Sequence, residues 1–260
     1  MVKLENISCG YGSKKVIHGV SFGVNRGEII SLLGANGSGK STLLKAIVGL
    51  IEYSGKIEIA NKQASKLSTI DRAKLIAYVP QSTLIPFDFN VLEVVFMGRF
   101  HASSFGFSYG KHDKAIALEA LEKVGIASFA SRVYRQLSGG ERQLVLIARA
   151  LAQQSEFIIM DEPVTGLDLG NQMRLLELMG HLATLGYTIL QTTHYPDHAL
   201  RISHKVAWLH NGSLLDFGSP KKVITDMNIL NVYGVEVEFM NHKDGSTHMF
   251  PIGFKTREID

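Results

Sequence analysis

The chain has a single cysteine in 260 residues, Cys9, which excludes an intrachain disulfide framework. Cys9 lies in the first apolar segment, a position that suits a buried thiol. There is no run of 18 consecutive apolar residues, so no segment reads as a hydrophobic membrane span. The opening MVKLENIS lacks the apolar stretch of a signal peptide. Charge of one sign is also scarce: 27 Lys+Arg against 24 Asp+Glu leaves +3. That balance does not point to nucleic acid and allows only a mildly basic face near a membrane. No internal repeat stands out, and no sustained heptads lie between Lys40 and Ser138. A cytoplasmic-type soluble chain is expected, held at a membrane only by other subunits. Its length suits one sizeable core with a small subdomain.

What is present is organised around residues 28–44, EIISLLGANGSGKSTLL. The run from Ile29 to Leu33 reads as a buried strand. Gly34, Gly37 and Gly39 permit a tight turn, and Lys40, Ser41 and Thr42 open a helix. This is a complete G-x-x-x-x-G-K-[ST] pattern in its strand–loop–helix setting. Backbone N–H groups over Gly34, Ala35, Asn36, Gly37, Ser38 and Gly39, with the helix N-terminus, suit phosphate oxygens. Lys40 would reach the β- and γ-phosphates of a nucleotide, and Ser41 would ligate Mg²⁺.

Around this loop the pattern alternates between strands and helices. Val2 and Leu4 alternate with polar residues, and Ile7 and Cys9 resume the alternation after a one-residue slip. Val20, Phe22 and Val24, and then Ile57 and Ile59, alternate as well, which predicts an antiparallel sheet on one side of the core. Residues 75–79 read as a core strand ended by Pro80 and followed by Gln81. Residues 87–135 are mostly helical, with Ala117, Ala120, Leu121 and Val124 on one helix face. A loop over 101–110 carries Phe105, Phe107 and Tyr109. LSGGE follows at 137–141, opening a helix, and FIIMDEP at 157–163 is a short strand ending in Asp161 and Glu162. A strand over 187–191 leads into TTHYPDHAL. Residues 205–210 and 213–217 form a predicted hairpin about Asn211-Gly212. The expected class is α/β: a P-loop NTPase core of mostly parallel strands, with an antiparallel β subdomain and an inserted helical subdomain. One domain over 1–234 is expected, with a short extension over 235–260. In that extension His242 and His248 recruit no obvious third metal ligand.

Asp161 at a strand end would sit near Mg²⁺ held by Ser41, and Glu162 beside it is a candidate base toward attacking water. With LSGGE in place the chain resembles the nucleotide-binding subunits of ATP-binding-cassette transporters along nearly all its length. The resemblance implies ATP and Mg²⁺ as ligands. It implies a head-to-tail dimer of two copies, in which Ser138, Gly139 and Gly140 of one copy cover the γ-phosphate bound by the other. Tyr11 matches the aromatic that stacks on adenine, and Asp168 the aspartate at the dimer interface. Gln81 matches the glutamine that meets Mg²⁺ or attacking water, and His194 the switch histidine at the γ-phosphate. Asp161, Ser41 and Gln81 would hold the metal; Glu162, His194, Gln81 and Lys40 would serve catalysis. Two departures stand out: Val164 after DEP and Asn90 before VLEVV, where threonine is commoner.

VLEVVFMGR, TTHYPDHAL and the compact C-terminus resemble the metal-chelate importer branch, which serves iron–siderophore, haem, cobalamin or oxyanion uptake. That branch implies two membrane permease subunits, an extracytoplasmic substrate-binding protein, a peripheral location at the cytoplasmic face of the inner membrane, and no nucleic-acid partner. A soluble ATPase of an iron–sulfur assembly complex and an exporter subunit are the alternatives. Co-purification with a permease separates the first of these from transport.

Overall fold

The structure is a computed structural model, and it describes residues 1–254 apart from 82, 84, 86, 103–109 and 244. The aromatic loop with Phe105, Phe107 and Tyr109 therefore lies outside the described residues.

The described residues form three sheets, two of them large. The first is antiparallel, in the order β2-β1-β4-β5, built from β1 (Val2–Tyr11), β2 (Lys14–Val24), β4 (Tyr53–Ile59) and β5 (Lys62–Gln63). The expected slip in β1 is real: its register shifts between Leu4 and Ile7, and Asn6 takes φ +52°. An extra residue there turns Ile7 and Cys9 back to the core side. Gly55 faces this bulge; a Cβ on it would stand 2.3 Å from the Asn6 carbonyl oxygen.

The second sheet has six strands in the order β10-β9-β3-β8-β7-β6. They are β3 (Ile29–Leu33), β6 (Ile76–Val79), β7 (Phe157–Met160), β8 (Thr188–Thr193), β9 (Lys205–His210) and β10 (Ser213–Gly218). All pairs but β9–β10 are parallel. Strands β3, β7 and β8 are buried along their whole length, as strands covered on both faces must be. The Asn211-Gly212 turn closes the β9–β10 hairpin with positive φ at both residues, +48° and +77°.

Helices cover the parallel sheet: α1 (Lys40–Val48), α5 (Gly139–Ala152), α6 (Leu169–Thr184) and α7 (Pro196–Ile202). Between β6 and α5 lie α3 (Val91–Phe96) and α4 (Lys111–Val124), joined with α5 in one apolar cluster. Asn90 caps α3, accepting from the Glu93 amide at 2.9 Å while Glu93 accepts from the Asn90 amide at 2.7 Å. That capping box gives the asparagine a local purpose. Val164, the other departure, is buried in the same apolar cluster. Arg99 ties this helical region to the end of α5. Its Nε donates to Asp113 Oδ1 at 3.0 Å and its Nη1 to the Ala152 carbonyl and Gln154 Oε1, both at 2.9 Å.

Several elements have no counterpart in the sequence reading. Helix α2 (Thr69–Leu75) precedes β6, so the strand begins at Ile76 rather than residue 75. After α8 (Pro220–Val223) and α9 (Asp226–Tyr233), the chain forms β11 (Val235–Asn241), paired with β12 (Thr247–Phe254). This hairpin packs Val237, with Val235, Phe239 and Met249, on Trp208, Val223 and Ile229.

Candidate functional site

The phosphate loop follows β3 at the carboxyl edge of the parallel sheet, where doubly wound folds place ligands. It is close-packed on both sides. A Cβ on Gly34 would lie 2.4 Å from the Leu209 carbonyl oxygen, so only glycine fits. Gly39 has φ +100°, and a Cβ there would stand 2.5 Å from Ile17 Cδ1 of β2. The Gly212 amide donates to the Ser38 carbonyl at 3.2 Å, and the His18 amide to the Gly212 carbonyl at 2.8 Å. The loop is thus held between β2 and the β9–β10 turn. Helix α1 starts at Lys40 with no side-chain cap and no acidic residue in its first turn. Its first N–H groups and its dipole therefore favour an anion there.

Lys40 is almost wholly buried. Its Nζ donates to the carbonyls of Gly34 (2.9 Å) and Ala35 (3.2 Å) and lies 3.5 Å from Glu162 Oε1. Burial pulls its pKa below the ordinary lysine value, and the charges of Glu162 and Asp161 oppose that pull.

Asp161 and Glu162 follow β7 directly. Asp161 Oδ1 accepts from Ser41 Oγ at 3.0 Å and from Thr192 Oγ1 at 2.7 Å. The same Thr192 hydroxyl accepts from the Glu162 amide at 2.7 Å. Glu162 has φ +45°, a conformation that costs a residue with a side chain about 1–3 kcal/mol and that the surrounding contacts hold. Its Oε2 accepts from Thr165 Oγ1 at 3.0 Å and lies 3.5 Å from Gln81 Nε2 and 3.4 Å from His194 Nδ1. Lys40, Gln81 and His194, scattered along the chain, thus surround the Glu162 carboxylate. They open on a cavity of about 880 Å³ that Lys14, His18 and Asn36 also line.

The residues present fit a hard divalent cation: the Ser41 hydroxyl and the Asp161 carboxylate, 3.0 Å apart beside the phosphate loop, are oxygen donors of the kind such an ion takes, and Gln81 lines the same cavity as Ser41. Tyr11 ends β1, half exposed, opposite Lys14; its hydroxyl is 3.4 Å from Lys45 Nζ, which sits 5.8 Å from its ring centre.

Ser138, Gly139 and Gly140 begin α5, and Ser138 caps it. Its hydroxyl accepts from the Glu141 amide (3.3 Å), and Glu141 accepts from the Ser138 amide (2.7 Å) and from Arg132 Nη1 (2.7 Å). Gly140 packs on Asn171, which donates from its amide (2.9 Å) and from its side chain (2.7 Å) to Asp168. Those two donors hold the Asp168 carboxyl below the usual carboxylate range. The signature glycines and Asp168 therefore form a second cluster. Among the described residues no hydrogen bond or ion pair joins it to Lys40, Ser41, Asp161 or Glu162.

Thr192 and Thr165 are site residues the sequence reading passed over. The first is one of two threonines ahead of His194; the second stands three residues after Glu162. Only the fold brings Thr192 to the Asp161 carboxylate and the Glu162 amide.

A parallel sheet with this loop, a pair of carboxylates at the end of β7 and a buried lysine between them define a P-loop nucleotide hydrolase. Residues 17–165 match the family model described as ABC transporter. The iron(3+)-hydroxamate import ATP-binding protein FhuC of Bacillus subtilis is 37% identical over 91% of this chain and 88% of its own. Among solved structures, an inward-facing ABC transporter assigned to the metal-chelate type superposes with TM-score 0.84 at 32% identity, covering 96% of this chain and 97% of its own. The cassette MJ0796, as a dimer in a post-hydrolysis state bound to ADP and Pi, gives 0.74 at 31%, covering 85% and 99%. The chain belongs to the ABC transporter family, as an ATP-binding subunit of the ATP-hydrolysing cassette type.

Proposed function

We propose that this chain hydrolyses ATP to power import of a metal chelate through a partner permease. The observation that carries the reading is the Glu162 carboxylate, held within 3.5 Å of Lys40, Gln81 and His194 beside the Ser41–Asp161 pair. In this reading the N–H groups from Gly34 to Thr42 cradle the phosphates and Lys40 turns from the loop carbonyls to the β- and γ-oxygens. Ser41, Asp161 and Gln81 hold Mg²⁺, which neutralises charge on the phosphates. Glu162 accepts the proton of the attacking water, and His194 donates toward the γ-phosphoryl oxygens. Tyr11 stacks on the base.

Ser138, Gly139, Gly140 and Asp168 belong, in this reading, to the site of a second copy. Support comes from their separation from Lys40 within one chain and from the dimeric state of the similar cassette MJ0796. Two permease subunits and an external binding protein complete the assembly, and the chain lies at the cytoplasmic face of the membrane. No described helix is long and apolar enough to cross a membrane, so attachment falls to the permease. Similarity to FhuC and to the metal-chelate type structure supports the cargo class.

Vesicles carrying the native complex test it. ATP and Mg²⁺ should drive accumulation of a ferric hydroxamate or haem from a panel of chelates. Isolation of the chain in a soluble assembly complex with no permease would refute the transport reading.

A further inference from the structure

His194 is weakly held by hydrogen bonding. Its Nδ1 is buried with no hydrogen bond among the described residues and approaches Glu162 Oε2 only to 3.4 Å. What fixes the ring lies after it in the chain. The Tyr195 ring centre is 4.1 Å from that of His194 with planes at 38°, and 4.8 Å from that of His198 with planes at 42°. Three rings therefore lie in series, an arrangement aromatic faces favour.

The local sequence builds this series. Pro196 occupies the first turn of α7 and sets its entry, so Tyr195 at the cap and His198 three residues on share one side of the helix. The Tyr195 amide donates to Thr193 Oγ1 at 3.0 Å, which pins the corner. His198 is 9% exposed and its Nδ1 has no hydrogen-bond partner among the described residues. Burial pulls its pKa below the ordinary imidazole value, so the ring packs as a neutral aromatic body. Between the two histidines, Asp197 Oδ1 accepts from the Met249 amide of β12 at 3.0 Å. Met249 in turn packs with Trp208 and Val237 in the third apolar cluster. The stack is thereby moored to the C-terminal hairpin.

We infer that Tyr195 and His198 are positioning residues for His194: a ring stack, anchored through Asp197 to the β11–β12 hairpin, that holds the imidazole aimed at the reacting phosphoryl group. The inference rests on the role proposed for His194 above. Without the stack the imidazole rotates about its Cα–Cβ bond and must be reordered at each turnover. Small misplacements of catalytic groups cost about a hundredfold or less in rate.

The test uses the full chain, with rates from release of labelled phosphate under single-turnover conditions, where slow variants remain readable. Tyr195→Leu should lower the single-turnover rate by about tenfold or more, with the Kd for ATP, read by titration, changed by less than about twofold. Tyr195→Phe keeps the ring and should stay within about twofold of wild type. In a His194→Ala background, Tyr195→Leu should cost nothing further, because its effect passes through the missing ring. An equal loss in both backgrounds overturns the inference, as does full activity of Tyr195→Leu beside an impaired His194→Ala. Full activity of His194→Ala overturns the underlying site reading instead. Should Tyr195→Leu fail to fold, His198→Leu against His198→Phe carries the same comparison from the far ring.

Discussion

Replacing Glu162 by glutamine keeps the side chain's shape and removes its charge and its basicity. In the wild type, Oε2 takes the Thr165 hydroxyl at 3.0 Å and faces Gln81 and His194, while Oε1 faces the Lys40 ammonium at 3.5 Å. A glutamine can present an oxygen to only one of these directions. With oxygen toward Thr165, its amino group meets the Lys40 ammonium donor to donor, and Lys40 is released toward phosphate. Nucleotide affinity should therefore hold or rise. A positioned general base contributes about 10²–10⁴-fold, so the barrier should rise by about 3–5 kcal/mol and kcat fall accordingly. Phosphate release with the partner permease present measures the rate, nucleotide titration the affinity, and sedimentation with ATP the closed dimer. Turnover within about tenfold of wild type would refute the base assignment.

Lys40→Ala removes the one buried ammonium at the loop and should weaken nucleotide binding itself; an unchanged Kd by titration contradicts the phosphate role. Thr192→Val is close to isosteric but orphans the Glu162 amide and one acceptor position of Asp161, costing about 1–3 kcal/mol in a denaturant titration, with a lower kcat as Glu162 relaxes. Arg99→Met removes a buried guanidinium from a partly buried pair with Asp113 and leaves the Ala152 carbonyl without its donor, which should cost about 1–3 kcal/mol by the same titration. Arg99 also holds the Asp113 carboxyl below the usual range, so the stability it adds is present above about pH 4 and lost as pH falls further. Acid unfolding curves of Arg99→Met should accordingly be flatter below that pH than those of the wild type.

The parts legible in the sequence were those whose cause is local. The phosphate loop, the carboxylates after an apolar strand, the Asn211-Gly212 turn and the slip near Asn6 each leave a pattern within a few residues. Helix α2 leaves none, because it buries no side chain and so has no apolar stripe. Strand β12 is half exposed, carries Pro251 and Gly253, and depends on β11 for its existence. The Thr192 bridge spans 31 residues to Asp161, and the Lys40–Glu162 pair joins different strand ends. Such pairs are made by topology, and spacing along the chain does not encode them. Asp168 and Ser138 were legible as chemistry, yet each is also a helix cap whose local bonds would exist without any ligand.

The phosphate loop is wedged between β2 and the β9–β10 turn, with glycines at every point of closest approach. Strands from two sheets thus cannot part locally without distorting the backbone that would grip phosphate. Bound nucleotide should slow hydrogen exchange at the His18 amide, which touches no ligand itself, because loosening that edge means surrendering the anion. The antiparallel layer is in this sense a retaining wall for the loop, and its rigidity is set by what the loop holds.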